Sequence, residues 1–234
     1  MAKIKTKKKE VLDPEAAVSL WVQVQEYVQE NMRQLGAIAL IVAVVAGGIT
    51  IWQVTKSRSE REAVSQFNEA MNIMTQRAGK GAEAEASYAQ ALEKFKAITE
   101  KHSGTPSGAE ALLYAGNCCY NLKKYDEAIT WYKKFLDEAG SSLSYMKPFA
   151  YEGLGYACEG KGAYKEALEY FEKQQSAGPA DAGSMVLLNL ARCYELENNR
   201  EKACSLYREF MEKQPASSFK DLAQTKVESL CGKK

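Results

Sequence analysis

The sequence predicts an all-α protein: one N-terminal transmembrane helix, then an α-solenoid of about three to four helix pairs and a closing helix. Three observations predict it. An uncharged apolar run of 22 residues lies between Arg33 and Lys56. Apolar residues then recur at three- and four-residue steps through most of the chain, the spacing of one helix face. From Ala109 onward a unit of about 34 residues repeats itself, and internal repetition outranks any local motif as a guide to fold.

Charge organises the chain before any motif does. Residues 1–33 hold six basic and five acidic side chains, which leaves 25 of each from Lys56 onward. A nucleic-acid-binding domain carries a basic excess on one face, so this neutrality argues against nucleic acid as the partner. The first twelve residues are a basic tail containing Lys3, Lys5, Lys7, Lys8 and Lys9.

A helix is expected over residues 13–33. Asp13 supplies an N-cap, Pro14 suits the first turn, and Glu15 complements the positive end of the helix dipole. Ala17, Leu20, Trp21, Val24, Val28, Met32 and Leu35 form one apolar face opposite Gln23, Glu26, Glu30 and Arg33. Such a helix lies in the membrane interface or packs on a partner's surface; the sequence leaves both readings open.

Residues 34–55, QLGAIALIVAVVAGGITIWQVT, form the span. As a helix rising ~1.5 Å per residue they reach roughly 33 Å, enough to cross a bilayer. Ten of them are Leu, Ile or Val. Their summed insertion gain of about −3 to −6 kcal/mol outweighs Gly47, Gly48, Thr50 and Gln53. The core begins too late for a cleaved signal peptide and no cysteine follows it, so it reads as a retained anchor. Six basic residues precede the span and three (Lys56, Arg58, Arg61) follow it closely. The basic-residue rule therefore expects the N-terminus in the cytoplasm and the rest exported.

The repeats come next. Aligning LLYAGNCCYNLKKYDEAITWYKKF, YEGLGYACEGKGAYKEALEYFEKQ and LLNLARCYELENNREKACSLYREF puts Gly116, Gly155 and Ala191 in one column. Ala128, Ala167 and Ala203 fall in a second, Tyr132, Phe171 and Tyr207 in a third, and Gly140, Pro179 and Pro215 in a fourth. Small residues let two antiparallel helices approach, while the aromatic fills the gap to the next pair. The columns lie 39 and then 36 residues apart, so extra loop residues are expected near 141–147 and 180–183. A degenerate earlier copy spans 60–108: a helix over 62–74, a Gly-Lys-Gly loop at 79–81, and a second helix carrying Ala91, Phe95 and Ile98. A closing amphipathic helix occupies 218–231, with Ser218 as its N-cap and Asp221 three residues on.

Those columns over residues 109–217 resemble the tetratricopeptide repeat, whose pattern has small residues at the eighth and twentieth positions, an aromatic at the twenty-fourth and often a proline at the thirty-second. The order of elements adds a second resemblance: an amphipathic segment, the anchor NMRQLGAIALIVAVVAGGITIWQVTKS, then SQFNEAMNIM. Together they resemble the YfgM-like family of Gram-negative bacteria, inner-membrane proteins with one span and a periplasmic tetratricopeptide domain. The resemblance implies an ancillary role at the Sec translocon, with translocon components, periplasmic chaperones and exported polypeptides as partners and the lipid bilayer held through residues 34–55. A different reading is a structural docking subunit of a larger envelope assembly for secretion, pili or division. The amphipathic helix and span also offer surfaces for a homo-oligomer.

In such a solenoid the first helix of each repeat lines the concave face. The second, fifth, ninth and twelfth positions share one side of it. They are Glu110, Leu113, Asn117 and Tyr120 in the first repeat; Phe149, Glu152, Tyr156 and Glu159 in the second; Met185, Leu188, Arg192 and Glu195 in the third. Aromatics, Met and a few charges suit an extended or helical peptide. Leu113 stands where a carboxylate clamp needs a basic residue, so a hydrophobic segment is the expected ligand.

No enzyme chemistry, cofactor or metal site is expected. The single histidine, His102, sits in the polar stretch EKHSGTPSG and reads as a solvated helix-end residue. Gly79 to Gly81 lack the rest of a phosphate loop, and the six cysteines have no metal-ligand spacing. Most of those cysteines fall on apolar helical faces, as small buried hydrophobes do, and their pairing is left open.

Overall fold

The computed structural model describes residues 14–76, 81–178 and 183–232. The chain divides into two compact units, Met1–Thr55 and Lys56–Lys234. The expected basic tail, the Asp13 cap, the 79–80 part of the Gly-Lys-Gly loop and the Pro179 position lie outside the described residues.

In the first unit α1 spans Pro14–Glu30 and is followed by α2, Met32–Gln76, whose residues to Thr55 belong here. Between them the backbone N–H and the side-chain Nδ2 of Asn31 both donate to the Tyr27 carbonyl, at 3.0 and 2.9 Å. Leu20, Trp21, Val24 and Val28 of α1 are exposed, as are the apolar residues from Ile38 to Val54. Thr50 donates its hydroxyl to the Ala46 carbonyl, and Thr55 does the same to Ile51. The helix thus satisfies its own hydroxyls, which a segment surrounded by hydrocarbon must do. Among the described residues α2 is the one helix long and apolar enough to cross a membrane.

The second unit begins with the part of α2 from Lys56 and continues as helical hairpins: α3 (Ala82–Lys101), α4 (Pro106–Asn121), α5 (Tyr125–Glu138), α6 (Lys147–Gly160), α7 (Tyr164–Ala177), α8 (Gly183–Leu196), α9 (Arg200–Lys213) and α10 (Lys220–Cys231). From α3 onward each helix packs on the next, the arrangement of an α-solenoid. The helix expected over 62–74 is not separate but lies within α2. Phe67 of α2 meets Phe95 and Tyr114 edge-on, at ring separations of 5.4 and 5.2 Å.

The turns repeat as faithfully as the helices. Lys123, Gly162 and Asn198 have φ of 58°, 78° and 58°, the left-handed cap that ends a helix. After each, a backbone N–H reaches back five residues: Lys124 to Cys119, Ala163 to Cys158, Asn199 to Tyr194. These three positions carry the same 39- and 36-residue spacing as the packing columns. Thr105 opens α4 as its N-cap, accepting from the Gly108 N–H at 3.0 Å, with Pro106 in the first turn.

The packing columns form the core. Ala91, Ala128, Ala167 and Ala203 are fully buried, and beside them Phe95, Tyr132, Phe171 and Tyr207. A Cβ on Gly116 would lie 2.5 Å from Tyr132 Cε1, and one on Gly155 2.5 Å from Phe171 Cε1. Contacts that short do not occur, so the bare backbone is what admits the ring. Three residues after each aromatic comes a further column, Ile98, Phe135, Gln174 and Phe210. Its three apolar members are buried, and at Gln174 the Oε1 is buried with no hydrogen-bond partner.

Three expectations are corrected, and the cysteine pairing that the sequence leaves open is resolved. His102 is 4% exposed rather than solvated, because α2 passes over it and Ser59 Oγ shares a 2.9 Å hydrogen bond with its Nδ1. The extra residues at 141–147 are not a plain loop: Ser141–Met146 wind into a 3₁₀ turn that buries Leu143 and Met146. The closing helix starts at Lys220, after Phe219, and makes no side-chain cap; Ser217 Oγ instead accepts from the Phe219 N–H at 3.2 Å. Two of the six cysteines, Cys204 of α9 and Cys231 of α10, form a disulfide, while Cys118, Cys119, Cys158 and Cys193 are free and buried.

Candidate partner-binding face

The first helix of each repeat, α4, α6 and α8, carries the twelve stripe residues, and they divide into three groups.

Leu113 and Leu188 are 3% and 8% exposed and belong to the core. Their helices are each packed on both neighbours, and α4 also touches α6. As folded, they leave almost no side-chain surface on the face. Most polar members of the stripe are engaged with one another or with side chains beside the stripe. Asn117 Oδ1 accepts from the Tyr132 hydroxyl at 2.8 Å, which ties the stripe to the aromatic column behind it. Arg192 of α8 makes a fork onto Glu159 of α6, Nε to Oε1 at 2.8 Å and Nη2 to Oε2 at 2.7 Å. Its Nη1 donates to Asn189 Oδ1 at 3.2 Å, and the Tyr156 hydroxyl donates to the same oxygen at 3.1 Å. Tyr156 also reaches Glu152 at 3.4 Å, and the guanidinium lies 5.4 Å from the Tyr156 ring centre. Further along, Glu195 accepts from the Tyr207 hydroxyl at 3.1 Å and from Lys226 of α10 at 2.7 Å.

Electrostatics follow from that arrangement. Burial works against the Arg192 charge, but the hydrogen bonds and charge of Glu159 more than offset it, so the guanidinium is held more firmly protonated than usual. Burial pushes the hydroxyls of Tyr120, Tyr132, Tyr156 and Tyr207 up, which keeps them neutral hydrogen-bond donors. Glu110 is raised as well, first by burial and then by the neighbouring Glu60.

What remains open is a set of apolar side chains at the starts of the helices. Phe149 is 57% exposed and Met185 45%, both at the second position of their repeats. Tyr145, on the 3₁₀ turn that leads into α6, is 67% exposed. Tyr120 is half-buried, its ring 6.1 Å from Tyr156 and 5.8 Å from Tyr125. The face thus combines a floor of paired polar groups with exposed aromatic and thioether groups at the starts of α6 and α8. It can take an apolar or aromatic segment of a polypeptide, since large apolar groups left in water are the usual anchors of recognition.

The structure brings Glu152, Tyr156, Glu159 and Arg192 together as the spacing requires. Sequence reasoning missed Asn189, the hub of that network. Its signal was a lone polar residue inside the apolar run MVLLNLA. It also missed Tyr145, because the 3₁₀ turn was expected to be a loop. Among the described residues no three His, Cys, Asp or Glu side chains gather as metal ligands would.

The tetratricopeptide repeat family matches residues 76–142, 150–181 and 185–217. A curated relative, the uncharacterized protein ycf37 of Cyanophora paradoxa, is 28% identical over 108 residues, 46% of this chain. The match spans 61% of that relative's length. Among solved structures, a kinesin light chain of Podosopora anserina described by its nearly identical repeats superposes with a TM-score of 0.58 at 15% identity, covering 74% of this chain and 86% of that one. The apo form of RapI gives 0.61 at 14% identity over 72% of this chain and 62% of its own. MamA from Desulfovibrio magneticus gives 0.50 at 18% identity over 71% of this chain and 89% of its own. At such identities the likeness is one of fold.

Proposed function

We propose that this tetratricopeptide-repeat protein is a membrane-held scaffold whose repeat domain, exported across the bacterial inner membrane, binds polypeptides at the Sec translocon together with periplasmic chaperones. The protein-binding part rests on the repeats themselves, since solenoids of this kind offer an extended surface for protein or peptide partners. The observation that carries the reading of the ligand is the exposure of Tyr145, Phe149 and Met185 beside a stripe most of whose polar groups are already hydrogen-bonded within the fold. A carboxylate-holding clamp needs free basic groups, and the stripe's one arginine is held by Glu159. An apolar segment, as a polypeptide exposes before it folds, is the better fit.

The anchor and its orientation support the setting. The span is uncharged, and the basic residues favour a cytoplasmic N-terminus. The resemblance to YfgM-like proteins supplies the translocon and the chaperones.

Photoreactive residues placed at Phe149 and Met185 in living cells test this. Adducts with newly exported polypeptides, translocon subunits or periplasmic chaperones are expected. Cytosolic adducts alone would overturn it. A single fixed subunit in equal amount, copurifying with the chain, would replace it with a docking role in an envelope assembly.

A further inference from the structure

The cross-link between α9 and α10 divides the six cysteines into two chemical classes. Cys118, Cys119, Cys158 and Cys193 are buried within the repeat core. Burial pushes their thiols up to between about 11 and about 12, so at neutral pH they stay protonated and unreactive. Cys204 and Cys231, 27 residues apart, have Cα atoms 6.1 Å from one another, within the reach of a disulfide. Both line an open groove of about 740 Å³, walled also by Ser205, Arg208 and Leu230. They are not equally placed in it. Cys204 is 6% exposed on the inner side of α9, whereas Cys231 is partly exposed at the last turn of α10.

We propose that this pair is a thiol–disulfide exchange site, in which Cys231 is the entry sulfur and Cys204 the resolving one, and that its redox partner is a protein disulfide meeting the chain at the groove. In the reduced chain the Cys231 thiolate attacks one sulfur of the partner's disulfide. That bond breaks, a mixed disulfide forms, and the departing thiolate takes up a proton. The Cys204 thiolate then attacks Cys231 Sγ, the mixed disulfide breaks, and the second partner thiolate leaves and is protonated. Two thiols of this chain are oxidised by two electrons, and the partner's disulfide becomes a dithiol. The product holds α10 over the open end of the last repeat, where among its buried side chains only Ala223 is fully enclosed. Oxidation inside the cell rests on the proposed export of the repeat domain, because disulfides persist outside the reducing cytoplasm.

The test uses the full chain in detergent, reduced and freed of reductant, with 5,5′-dithiobis(2-nitrobenzoate) as the disulfide. The native wild-type chain is expected to release two thionitrobenzoates and to retain none, since the second attack expels the first adduct. Cys204→Ser should release one at the wild-type initial rate and keep the other as a mixed disulfide visible by mass. Cys231→Ser should react slower by at least about tenfold, its remaining thiol being buried. Both variants lose the same cross-link, so a general loosening of α10 would affect them alike. Equal rates in the two variants, a retained adduct in the wild type, or more than two reactive thiols in the native chain would overturn the proposal. In cells quenched with acid, maleimide labelling should find four free thiols of six. Six free thiols in a domain that protease protection places outside overturns the exchange site and leaves the scaffold reading standing. A domain found in the cytoplasm overturns that reading and the cellular oxidation with it.

Discussion

Gly153 of α6 leaves bare backbone against the ring of Tyr132 from α5: a Cβ there would lie 2.7 Å from both Cε1 and Cε2. Gly116 of α4 stands against the same ring. The aromatic of one repeat is therefore clamped between its own first helix and that of the next repeat. That contact is how one hairpin fixes the position of its neighbour, and so how the stripe residues of successive repeats come into register.

Gly153→Ala is accordingly expected to destabilise the domain, although alanine is the better helix former. Overpacking costs about 1–3 kcal/mol and the propensity gain offsets up to about 1 kcal/mol. A net loss of about 1–2 kcal/mol in urea denaturation is expected. Gly140→Ala, where a Cβ meets nothing within 4 Å, should stay within about 0.5 kcal/mol of wild type.

Arg192→Ala removes a fork that joins two repeats and leaves the Glu159 carboxylate, 20% exposed, without that partner. A loss of about 1–3 kcal/mol is expected, since a partly buried charge stripped of its hydrogen bonds costs more than an exposed one. Arg192→Lys keeps the charge but not the two parallel bonds, so its denaturation midpoint should fall between those of wild type and the alanine variant.

Glu110 gives a pH-dependent effect of opposite sign to the usual carboxylate. Its folded-state value lies above the ordinary 4.5, so the folded chain holds the proton more tightly than the unfolded one. Stability contributed by that proton is present below the ordinary value and is lost as pH rises through the folded one. Glu110→Gln should therefore be more stable than wild type at pH 7, by less than about 1 kcal/mol because the group is half in solvent. The difference should close as the pH falls towards 4 in parallel thermal melts.

The Cys204–Cys231 cross-link closes 27 residues of chain. Restricting the unfolded state to that extent is worth about 3.5 kcal/mol. Adding a phosphine reductant should lower the melting temperature of the wild-type repeat domain and leave that of a Cys204→Ser/Cys231→Ser double variant unchanged. Equal responses of the two proteins to reductant would contradict this.

How far the sequence could be read depended on whether a residue's surroundings repeat. The small and aromatic columns were legible because each repeat presents them to the same neighbour, and the clash at Gly116 and Gly155 with Tyr132 and Phe171 is the physical content of that pattern. The long uncharged apolar helix was legible because length and composition alone define it. Contacts made once were not legible. His102 is buried by Ser59, 43 residues earlier, and nothing near it in the chain announces α2 overhead. Leu113 and Leu188 share a helical face with exposed residues, and only the folded structure shows that these two are covered while Phe149 and Met185 are open. The cysteine pairing was not legible either, because six cysteines without spacing signals allow many connectivities.

Protease protection of the domain that follows Lys56 tests the central claim most directly, since an exported scaffold for polypeptides requires the repeats to stand outside the cytoplasm. In right-side-out membranes the repeats should be digested, leaving the anchor with its N-terminal segment, and in inverted vesicles they should be protected. Protection in right-side-out membranes with digestion in inverted ones would place the repeats in the cytoplasm and contradict the account.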